Sequence, residues 1–588
     1  MKNYFSVDNF KQLSIIKKIK VVIEHLSNTE KTILVILAFI ILISSYVALN
    51  QYLSKNFKVT IPEQGGSLTE GAIGSPRFIN PLLATSETDK DLVTLVYSGL
   101  MRMDEQGNLI PDLADTVEIS EDGLQYTLHI SDKAKFHDGT AITADDVIFT
   151  VNKAKDPELK SPKRSNWEGV LVERVDDRTV RFVLNQAYEP FLENTTLGIL
   201  PRHIWEGVTS AEFAFSVYNS NPIGTGPYKI KKITRDSIGI PKTYILEAFD
   251  KFILGRPYIN TITFKFAKNE DELIQMYKDG KVETLHGISP EKARKLQEAG
   301  YNIKTTSLPR VFGIFFNQGK NNVLASNPVR NALNTAAPKN EIVNNVLFGF
   351  GQTIDSPIPQ IFKNENSQDL NAQNLSEDER IAAAQKILES AGWKKNEQGI
   401  YTLENKKEGK KILSFSIATS NIKELVDAAN STADVWKKVG AQVDVKVYDP
   451  NDFNQNIIRQ RNYDAILFGL VVGKVSDLYA FWHSSQRNDP GLNISGYANI
   501  KTDSLLEKIR TLTNQEEVQN ELTTFDTEVK KDVPAVLLYS PNFIYSMPNK
   551  IKGNEINHLV TADERFAEVY KWYINTEQIL RVFKNEES

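Results

Sequence analysis

A long uncharged apolar run near the N-terminus constrains this chain more than any other stretch. Residues 33–43 are all apolar, and no charged residue occurs between Lys31 and Lys55. At a rise of 1.5 Å per residue, roughly 20 apolar residues cross the hydrocarbon core of a bilayer. A cleaved signal peptide is the alternative, but its apolar region is normally about 7–15 residues long and ends in a small-residue cleavage site. We see no such site and therefore predict an uncleaved transmembrane signal anchor over residues 32–54.

The charges that flank this run predict its orientation. Six lysines precede it and two follow it: Lys2, Lys11, Lys17, Lys18, Lys20 and Lys31, against Lys55 and Lys58. The positive-inside rule then places the N-terminus in the cytoplasm and the large remainder of the chain outside the membrane. In residues 1–31, apolar side chains recur every three or four positions between the lysines, which predicts a basic amphipathic helix on an anionic membrane surface. An ordinary solvated helix or a disordered tail is the alternative. Residues 55–66 are expected to be a short polar tether.

A second informative stretch predicts a strand, a tight turn and a capped helix. From Leu124 to Ile130 apolar and polar residues alternate, as in a half-buried strand. Asp138 and Gly139 mark a turn. Thr143 and Asp146 have the spacing of a capping box, so a helix is expected from about Ala144 to Lys155. His137 beside Asp138 could suggest acid–base chemistry, but a structural turn is the better interpretation, because no partner group or nucleophile has recognisable spacing.

Further along the chain, period-two apolar patterns and helix signals alternate. Strands are expected at 262–266, 311–317, 413–417, 443–447 and 463–470. Helices are expected near 89–100, 271–279, 328–333, 376–391 and 422–439, several with capping residues or a terminal glycine. The succession from 413 to 447 predicts a βαβ unit.

The stretch around Asp138 contains a two-part motif, Phe136-His137-Asp138-Gly139-Thr140 followed by Ala144-Asp145-Asp146-Val147. Further short motifs are spread over roughly residues 60–560: Asn80-Pro81-Leu82, Tyr97-Ser98-Gly99-Leu100, Pro111-Asp112-Leu113-Ala114, Ser120-Glu121-Asp122-Gly123-Leu124, Gly224-Thr225-Gly226-Pro227-Tyr228 and Leu492-Asn493-Ile494-Ser495-Gly496-Tyr497. In sequence and order these motifs resemble those of the family 5 extracellular solute-binding proteins, the receptors of peptide and nickel ABC importers, and the first motif is the strongest.

This resemblance implies an α/β, two-lobed, periplasmic-binding-protein-like fold with an extra small α/β domain, preceded by the transmembrane helix. Two strand crossovers would join the lobes, and a solute would bind in the cleft between them. The first lobe would comprise residues 67–102, 222–308 and 541–588. The small insertion domain would occupy residues 103–221, and the second lobe residues 309–540.

The resemblance also implies where a solute would be bound. In peptide-binding members, a strand and loop of the second lobe line the cleft, and the corresponding candidates here are Phe316, Asn317, Gly469, Leu470, Asp477, Trp482, Asn493 and Tyr497. Trp482 and Tyr497 could form pocket walls, although Gly496-Tyr497 could equally only pack the loop. Many relatives place a carboxylate just after this strand for the α-ammonium of a peptide. Here residues 470–475 contain none, so Asp477 is the candidate for that role.

Composition excludes several other classes of protein. The net charge of −5 argues against a nucleic-acid binder. The absence of Cys excludes disulfides, thiolate metal sites and the lipid-modified Cys that tethers many relatives. His203, His286, His483 and His558 are scattered without ligand spacing, so we expect no metal site and no cofactor.

The function expected from these observations is therefore binding without catalysis. The chain is predicted to be a monomeric, membrane-tethered receptor of an ABC importer, with a peptide or another small solute and the permease subunits as partners. A sensor or scaffold of the same fold and a metal-chelator receptor are the alternatives. A hydrolase is disfavoured because no Gly-x-Ser-x-Gly, His-Glu-x-x-His or Ser-x-x-Lys motif occurs in a suitable context.

Overall fold

A computed structural model describes residue 14, residue 20 and residues 22–24, 26–186, 189–363, 375–405, 409–512, 514–557 and 559–580. The chain divides into two compact units. One comprises residues 1–63 and 575–588, and the other residues 64–574.

The N-terminal unit is built on the helix Asn28–Phe57. Ser27 and Glu30 form a capping box at its start, with the Ser27 N–H donating to Glu30 Oε2 at 2.8 Å. Among the described helices, this one is long and apolar enough to cross a bilayer: its residues 28–49 have a mean hydropathy of 2.7 and none is buried. A signal sequence would meet the same criteria. Most of the surface helix expected in residues 1–31 lies outside the described residues.

The expected tether differs from what the structure shows. Residues 55–57 continue the helix, and residues 58–63 form a strand, Lys58–Glu63. This strand pairs antiparallel with Asn575–Leu580 near the C-terminus, with Lys58 opposite Leu580 and Glu63 opposite Asn575. The segment is polar and has no strand-like alternation, so it gave no signal of its own. Its partner strand also lies more than 500 positions further along the chain.

Twelve of the described strands in residues 64–574 form one large sheet. Ten follow one another in space in the order Gln442–Tyr448, Ser414–Ser420, Ala465–Val471, Arg310–Phe316, Ala535–Ser546, Thr284–His286, Ser67–Ile73, Thr261–Ala267, Pro241–Ala248 and Tyr228–Arg235. Ile303–Ser307 and Gly351–Thr353 also pair with Ala535–Ser546. We call the strands from Thr284–His286 to Tyr228–Arg235, with Ile303–Ser307, the first half of the sheet, and those from Gln442–Tyr448 to Arg310–Phe316, with Gly351–Thr353, the second half.

The strand Ala535–Ser546 belongs to both halves. Its N-terminal part pairs with Arg310–Phe316, and its C-terminal part pairs with Ile303–Ser307 and Thr284–His286. The chain also passes from the first half to the second directly at Leu308-Pro309, between two consecutive strands. The chain therefore connects the two halves twice, once within the strand Ala535–Ser546 and once at Leu308-Pro309.

The second half is buried on both faces, which explains its continuous apolar strands. Within Arg310–Phe316, Ile314 and Phe316 belong to one buried cluster, and Val311 and Phe315 belong to another. The first cluster includes side chains of Asn327–Ala336, Glu377–Ser390 and Lys423–Val439, and the second those of Asp477–Trp482, Ile500–Ile509 and Gln515–Asp532.

Smaller sheets complete the strand inventory. The four antiparallel strands Ala114–Ile119, Gln125–Ile130, Thr179–Leu184 and Val170–Arg174 pack with the helix Ala144–Lys155. A hairpin pairs Met101–Met103 with Leu109–Pro111, and a three-stranded sheet contains Lys394–Lys395, Tyr401–Asn405 and Gly409–Ile412.

The remaining described helices connect these sheets. The α-helices not yet named are Glu87–Val96, Arg164–Trp167, Arg202–Trp205, Ser210–Phe213, Glu270–Lys278, Pro290–Glu298, Lys339–Glu341 and Pro450–Asp452. Short 3-10 helices are Glu189–Thr196, Val217–Asn219, Gln360–Phe362, Ser484–Gln486, Ala562–Phe566 and Val569–Lys571, and π-helical turns are Ile342–Val346 and Phe453–Ile458.

The strand, turn and helix predicted around Asp138 are confirmed. Gly139 has φ +92°, which favours glycine, and the helix is Ala144–Lys155. The Thr143 N–H donates to Asp146 Oδ2 at 2.8 Å, as a capping box requires.

His137 Nδ1 accepts from the Gly224 N–H at 3.2 Å, and its Nε2 lies 3.0 Å from the Gly226 carbonyl oxygen. Burial lowers the pKa of His137 to about 4, so it is a neutral structural residue.

Candidate functional site

A cavity of about 400 Å³ lies beside the helix Glu87–Val96. We call it the central cavity. Its walls come from this helix and the turn after it, from residues 101–112, 163–198 and 227–254, and from residues 561–567; they include Lys90, Thr94, Tyr97, Ser98, Met101, Arg102, Asp112, Lys163, Asn166, Trp167, Glu193, Asn194, Leu197, Phe252, Thr561, Asp563, Glu564 and Ala567. Its size is within the roughly 300–1,000 Å³ typical of small-ligand sites.

The glycines of the Gly224-Thr225-Gly226 segment fix the wall that carries Tyr97. The N–H groups of Thr225 and Gly226 donate to the Val96 carbonyl oxygen at 3.0 and 2.8 Å, where the helix ends. A Cβ on Gly224 would lie 1.9 Å from that oxygen, so only glycine permits this approach. The segment therefore caps the helix and sets the position of Tyr97 at the cavity.

Two deeply buried polar side chains at the cavity have atoms without hydrogen-bond partners in the described chain. They are the hydroxyl of Tyr97, 5% exposed, and Oδ1 of Asp112, 7% exposed. Burial raises the pKa of Tyr97, and it raises the pKa of Asp112 to about 7 despite the nearby Arg102 guanidinium. Unsatisfied buried polar atoms cost about 1–3 kcal/mol each, so they mark places where a bound molecule can supply the missing partner.

Two further carboxyl groups, those of Asp563 and Glu564, line the cavity from residues 561–567. Asp563 Oδ1 is buried without a partner among the described residues, while its Oδ2 accepts from the Thr94 hydroxyl at 3.0 Å. Burial and the nearby Asp91 carboxylate raise the pKa of Asp563. Burial also raises the pKa of Glu564 to about 7, although its Oε2 accepts from the Val560 N–H at 2.7 Å.

A buried ion network holds this segment in place. Arg565 is completely buried and donates to both carboxylate oxygens of Asp91, at 2.6 and 2.7 Å, and to Glu70 Oε1 at 3.0 Å. These carboxylates raise the pKa of Arg565, so its charge is permanent. Removing one partner of such a pair would leave an uncompensated buried charge, so the network anchors residues 561–567 to the helix Glu87–Val96 through Asp91.

The loop after strand Ala465–Val471 contacts the rim of the central cavity from the second half of the sheet. Lys474 Nζ lies 3.1 Å from Glu193 Oε2, and Glu193 lines the cavity. A Cβ on Gly473 would lie 3.1 Å from a methyl group of Val560. Through Lys474 and Gly473, this loop of the second half therefore contacts residues at or next to the cavity wall.

Five of the eight predicted site residues are buried in the second half. Phe316 is completely buried beside Trp436, and Leu470 is 3% exposed in the other cluster. Trp482, Asn493 and Tyr497 form a packed group under the loop. The Asn493 amide donates to the carbonyl oxygens of residues 482, 483 and 497, at 3.0–3.3 Å.

The Tyr497 hydroxyl of this group is also fully used. It donates to Asp532 Oδ2 at 2.7 Å and lies 3.1 Å from the Thr502 hydroxyl. The packing interpretation of Gly496-Tyr497 therefore describes the observed contacts, and ligand binding by these residues stays a prediction.

The other three candidates are partly exposed. Gly469 lies opposite Phe312, where a Cβ would approach the Phe312 ring to 2.5 Å, so glycine is required for packing. Asn317 lies at the far end of its strand from the connection at Pro309 and donates to the Arg461 carbonyl oxygen at 3.0 Å. Asp477 accepts from the Lys474 N–H at 3.1 Å, and burial raises its pKa while Lys474 opposes the rise. Among these eight residues, Asp477 alone belongs to the loop at the cavity rim, and its contact with a ligand stays a prediction.

Sequence reasoning missed the groups that line the central cavity. Tyr97 and Asp112 lie in two of the short motifs that carry the family resemblance. Those motifs identified the family but did not indicate that either side chain lines a cavity. Asp563 and Glu564 carried no signal, because only the folded chain brings residues 561–567 against the helix Glu87–Val96. No cluster of three His, Asp or Glu side chains suited to a metal ion is found in the part of the chain that the structure describes.

Comparison with known proteins identifies the family. The model of the bacterial extracellular solute-binding proteins, family 5, matches residues 108–491, which is more than half of the chain. This chain belongs to that family. It is also 30% identical over 505 residues to the oligopeptide-binding protein AppA of Bacillus subtilis, covering 84% of this chain and 89% of AppA.

Solved structures agree with the fold of this family 5 binding protein. AppA from Bacillus subtilis in complex with a nonapeptide superposes with a TM-score of 0.66 at 27% identity, covering 88% of this chain and 100% of AppA. NikZ from Campylobacter jejuni in complex with Ni(L-His) gives the same TM-score and identity, covering 86% of this chain and 99% of NikZ. The predicted α/β periplasmic-binding-protein-like fold is confirmed, and the family comprises solute-binding proteins.

Proposed function

We propose that this protein is a membrane-anchored extracytoplasmic receptor that binds peptides reversibly in the central cavity and delivers them to an ABC permease. The observation that carries the proposal is a cavity of ligand size whose walls hold the unsatisfied polar atoms of Tyr97, Asp112 and Asp563. Buried polar groups are normally paired, and a peptide supplies both donors and acceptors to such groups.

Contact across the cavity rim supports reversible enclosure. The Lys474–Glu193 ion pair and the Gly473–Val560 contact join the second half of the sheet to the cavity walls. Receptors that close around a solute need contacts that are weak enough to open again. A partly exposed ion pair, worth about 0–1 kcal/mol, meets that requirement. In this arrangement Asp477, in the same loop, is the predicted second-half contact for a peptide ammonium.

The relatives support a peptide as the solute. AppA is named for oligopeptides and its structure contains a nonapeptide, whereas NikZ contains Ni(L-His).

Native mass spectrometry of the full chain, purified in detergent, tests the proposal. We expect adducts whose masses match short peptides and which are lost on denaturation. Retention of a nickel chelate, or of another solute in place of peptides, would contradict it. Co-purification of permease subunits is expected for a transport receptor, and their consistent absence would favour the sensor or scaffold.

The anchor has its own test. We propose that the helix Asn28–Phe57 stays in the membrane with the N-terminus in the cytoplasm, because lysines are concentrated before it. Protease added to intact cells should degrade the region after Glu63 and spare an N-terminal epitope tag. Protection of the large region, or recovery of a shortened chain free of membranes, would contradict this orientation or the uncleaved state.

A further inference from the structure

We infer that the central cavity selects peptides that carry a positively charged side chain, and that Asp112 and Asp563 determine this selectivity. This inference rests on the proposed function and names the class of peptide. Three observations support it: two buried carboxyl oxygens without partners, the pairing of Arg102 and Lys90 with other carboxylates, and the depth of Asp112.

Four buried side-chain atoms that line the cavity have no partner among the described residues: two carboxyl oxygens, the Tyr97 hydroxyl and Nε of Arg102. Oδ1 of Asp112 and Oδ1 of Asp563 are buried without partners in the described chain, and Glu564 lines the same cavity. Asp112 is 7% exposed, so water cannot fully compensate its charge. An ammonium or guanidinium group entering from a ligand would supply the missing partner through a charge-assisted hydrogen bond.

Two of the cations near these carboxyl groups have other partners. Arg102 forms an ion pair with Glu568 and donates to the Tyr570 hydroxyl at 3.2 Å. Lys90 lies 3.6 Å from Glu87 on the same helix. Lys163 is exposed at the cavity. A ligand cation therefore finds buried acceptors at Asp112 and Asp563, whereas a ligand carboxylate finds only the exposed Lys163 and Nε of Arg102, whose charge is already paired with Glu568.

The surroundings of the two aspartates predict how binding changes with pH. Arg102, Glu568 and the Ser98 hydroxyl face Asp112, while Asp91, Lys90, Thr94 and Thr561 face Asp563. Burial dominates in both cases and favours the protonated acid in the empty cavity. A cation binds the ionised form, so its binding releases a proton and its affinity rises as the pH rises towards about 8.

Isothermal titration calorimetry of the full chain in detergent tests the selectivity with three peptides: Ala-Lys-Ala, Ala-Nle-Ala with the uncharged norleucine, and Ala-Glu-Ala. At pH 8 we expect Ala-Lys-Ala to bind about tenfold more tightly than Ala-Nle-Ala, as a charge-assisted hydrogen bond of about 1.5 kcal/mol requires. Ala-Glu-Ala should bind most weakly. At pH 6 the preference for Ala-Lys-Ala should fall severalfold.

The variants Asp112→Asn and Asp563→Asn test whether these two residues cause the preference for Ala-Lys-Ala. Each should reduce the preference for Ala-Lys-Ala over Ala-Nle-Ala severalfold, and a single cooperative denaturant transition shows that the variant is folded. The matched control is Asp434→Asn, the same substitution at a position 66% exposed on the helix Lys423–Val439, and it should change neither affinity.

The outcomes separate the two levels of the account. If none of the three peptides binds, the proposed function fails. If Ala-Lys-Ala and Ala-Nle-Ala bind equally at pH 8, the peptide receptor stands and the inferred selectivity is overturned. A preference that both variants retain would equally overturn the assignment to Asp112 and Asp563.

Discussion

Two groups of buried polar residues in this protein differ in how completely their side chains are hydrogen-bonded. The group under the second-half loop contains Asn493 and Tyr497, and its amide and hydroxyl are fully hydrogen-bonded. The group at the central cavity contains Tyr97, Asp112 and Asp563, and each has an atom without a partner in the described chain. The Trp482 indole N–H in the first group also lacks a partner in the described chain, so the contrast is between the paired Asn493 and Tyr497 and the unpaired groups at the cavity, which can gain hydrogen bonds by binding a molecule.

The comparison shows why burial alone is a poor guide to a site. Fully paired buried polar groups stabilise a single packing arrangement, and their loss leaves donors or acceptors unsatisfied. Unpaired ones cost stability in the empty protein and return it when a ligand binds. We therefore expect substitutions in the first group to change stability and substitutions in the second to change binding.

The largest expected effect follows removal of the Asn493 amide. Asn493→Ala deletes three bonds to backbone carbonyl oxygens and the acceptor of the Ser495 hydroxyl. We expect the free energy of unfolding to fall by about 3 kcal/mol, because several buried groups lose partners together. Chemical denaturation measures this loss, with the exposed Asn454→Ala as a neutral control. A loss below 1 kcal/mol would show that the group is not a structural unit.

A smaller effect with the opposite sign is expected at the cavity. The pKa of Asp112 is raised to about 7, so between about pH 4 and pH 7 the folded protein keeps a proton that the unfolded chain has lost. The stability of the ligand-free protein therefore falls as the pH rises through this range.

Asp112→Asn removes that penalty because asparagine does not ionise. Without ligand, the variant should be more stable than the parent at pH 8 by at least about 1.4 kcal/mol, the equivalent of one pKa unit, and nearly equal in stability at pH 4. Denaturant melts across this range measure the difference. A variant that is equally destabilised at both pH values would assign Asp112 to packing.

Tyr497→Phe removes one hydroxyl from the fully paired group. Asp532 keeps the Asn499 amide as a partner at 2.8 Å, so the expected loss of stability is about 1 kcal/mol. Peptide affinity, measured on the same preparation, should not change. A clear loss of affinity without a loss of stability would return Tyr497 to the binding site.

The smallest effect concerns the ion pair at the cavity rim. Lys474→Met and Glu193→Gln should each accelerate peptide dissociation by less than about fivefold, because partly exposed ion pairs contribute about 0–1 kcal/mol. In stopped-flow measurements the double variant should resemble the single ones, which identifies a shared contact. Strictly additive effects would show that the two residues act separately.

Local chemistry explains which parts of the fold could be predicted from the sequence. Helix Ala144–Lys155 has the predicted bounds because its cap, its turn and its apolar face lie within fifteen residues. The helices expected near 376–391 and 422–439 have equally local signals: a capping box of Ser376 and Glu379 begins one, and Gly440, which is left-handed, closes the other. The parallel pairing of Ser414–Ser420 with Gln442–Tyr448 follows from the βαβ pattern.

Long-range packing explains what could not be predicted. The C-terminal strand Asn575–Leu580 has its partner at Lys58–Glu63, and no local pattern indicates this. The resemblance directed attention to a loop whose aromatic residues proved to be buried. Whether a polar atom is paired depends on residues from distant segments, as Thr94 and Asp563 show.

A crystal structure of the full chain with Ala-Lys-Ala tests the central claim most directly. The account predicts density for the peptide inside the central cavity, with its lysine ammonium within hydrogen-bonding distance of Asp112 or Asp563. Peptide bound elsewhere, with Tyr97, Asp112 and Asp563 still facing an empty cavity, would contradict it.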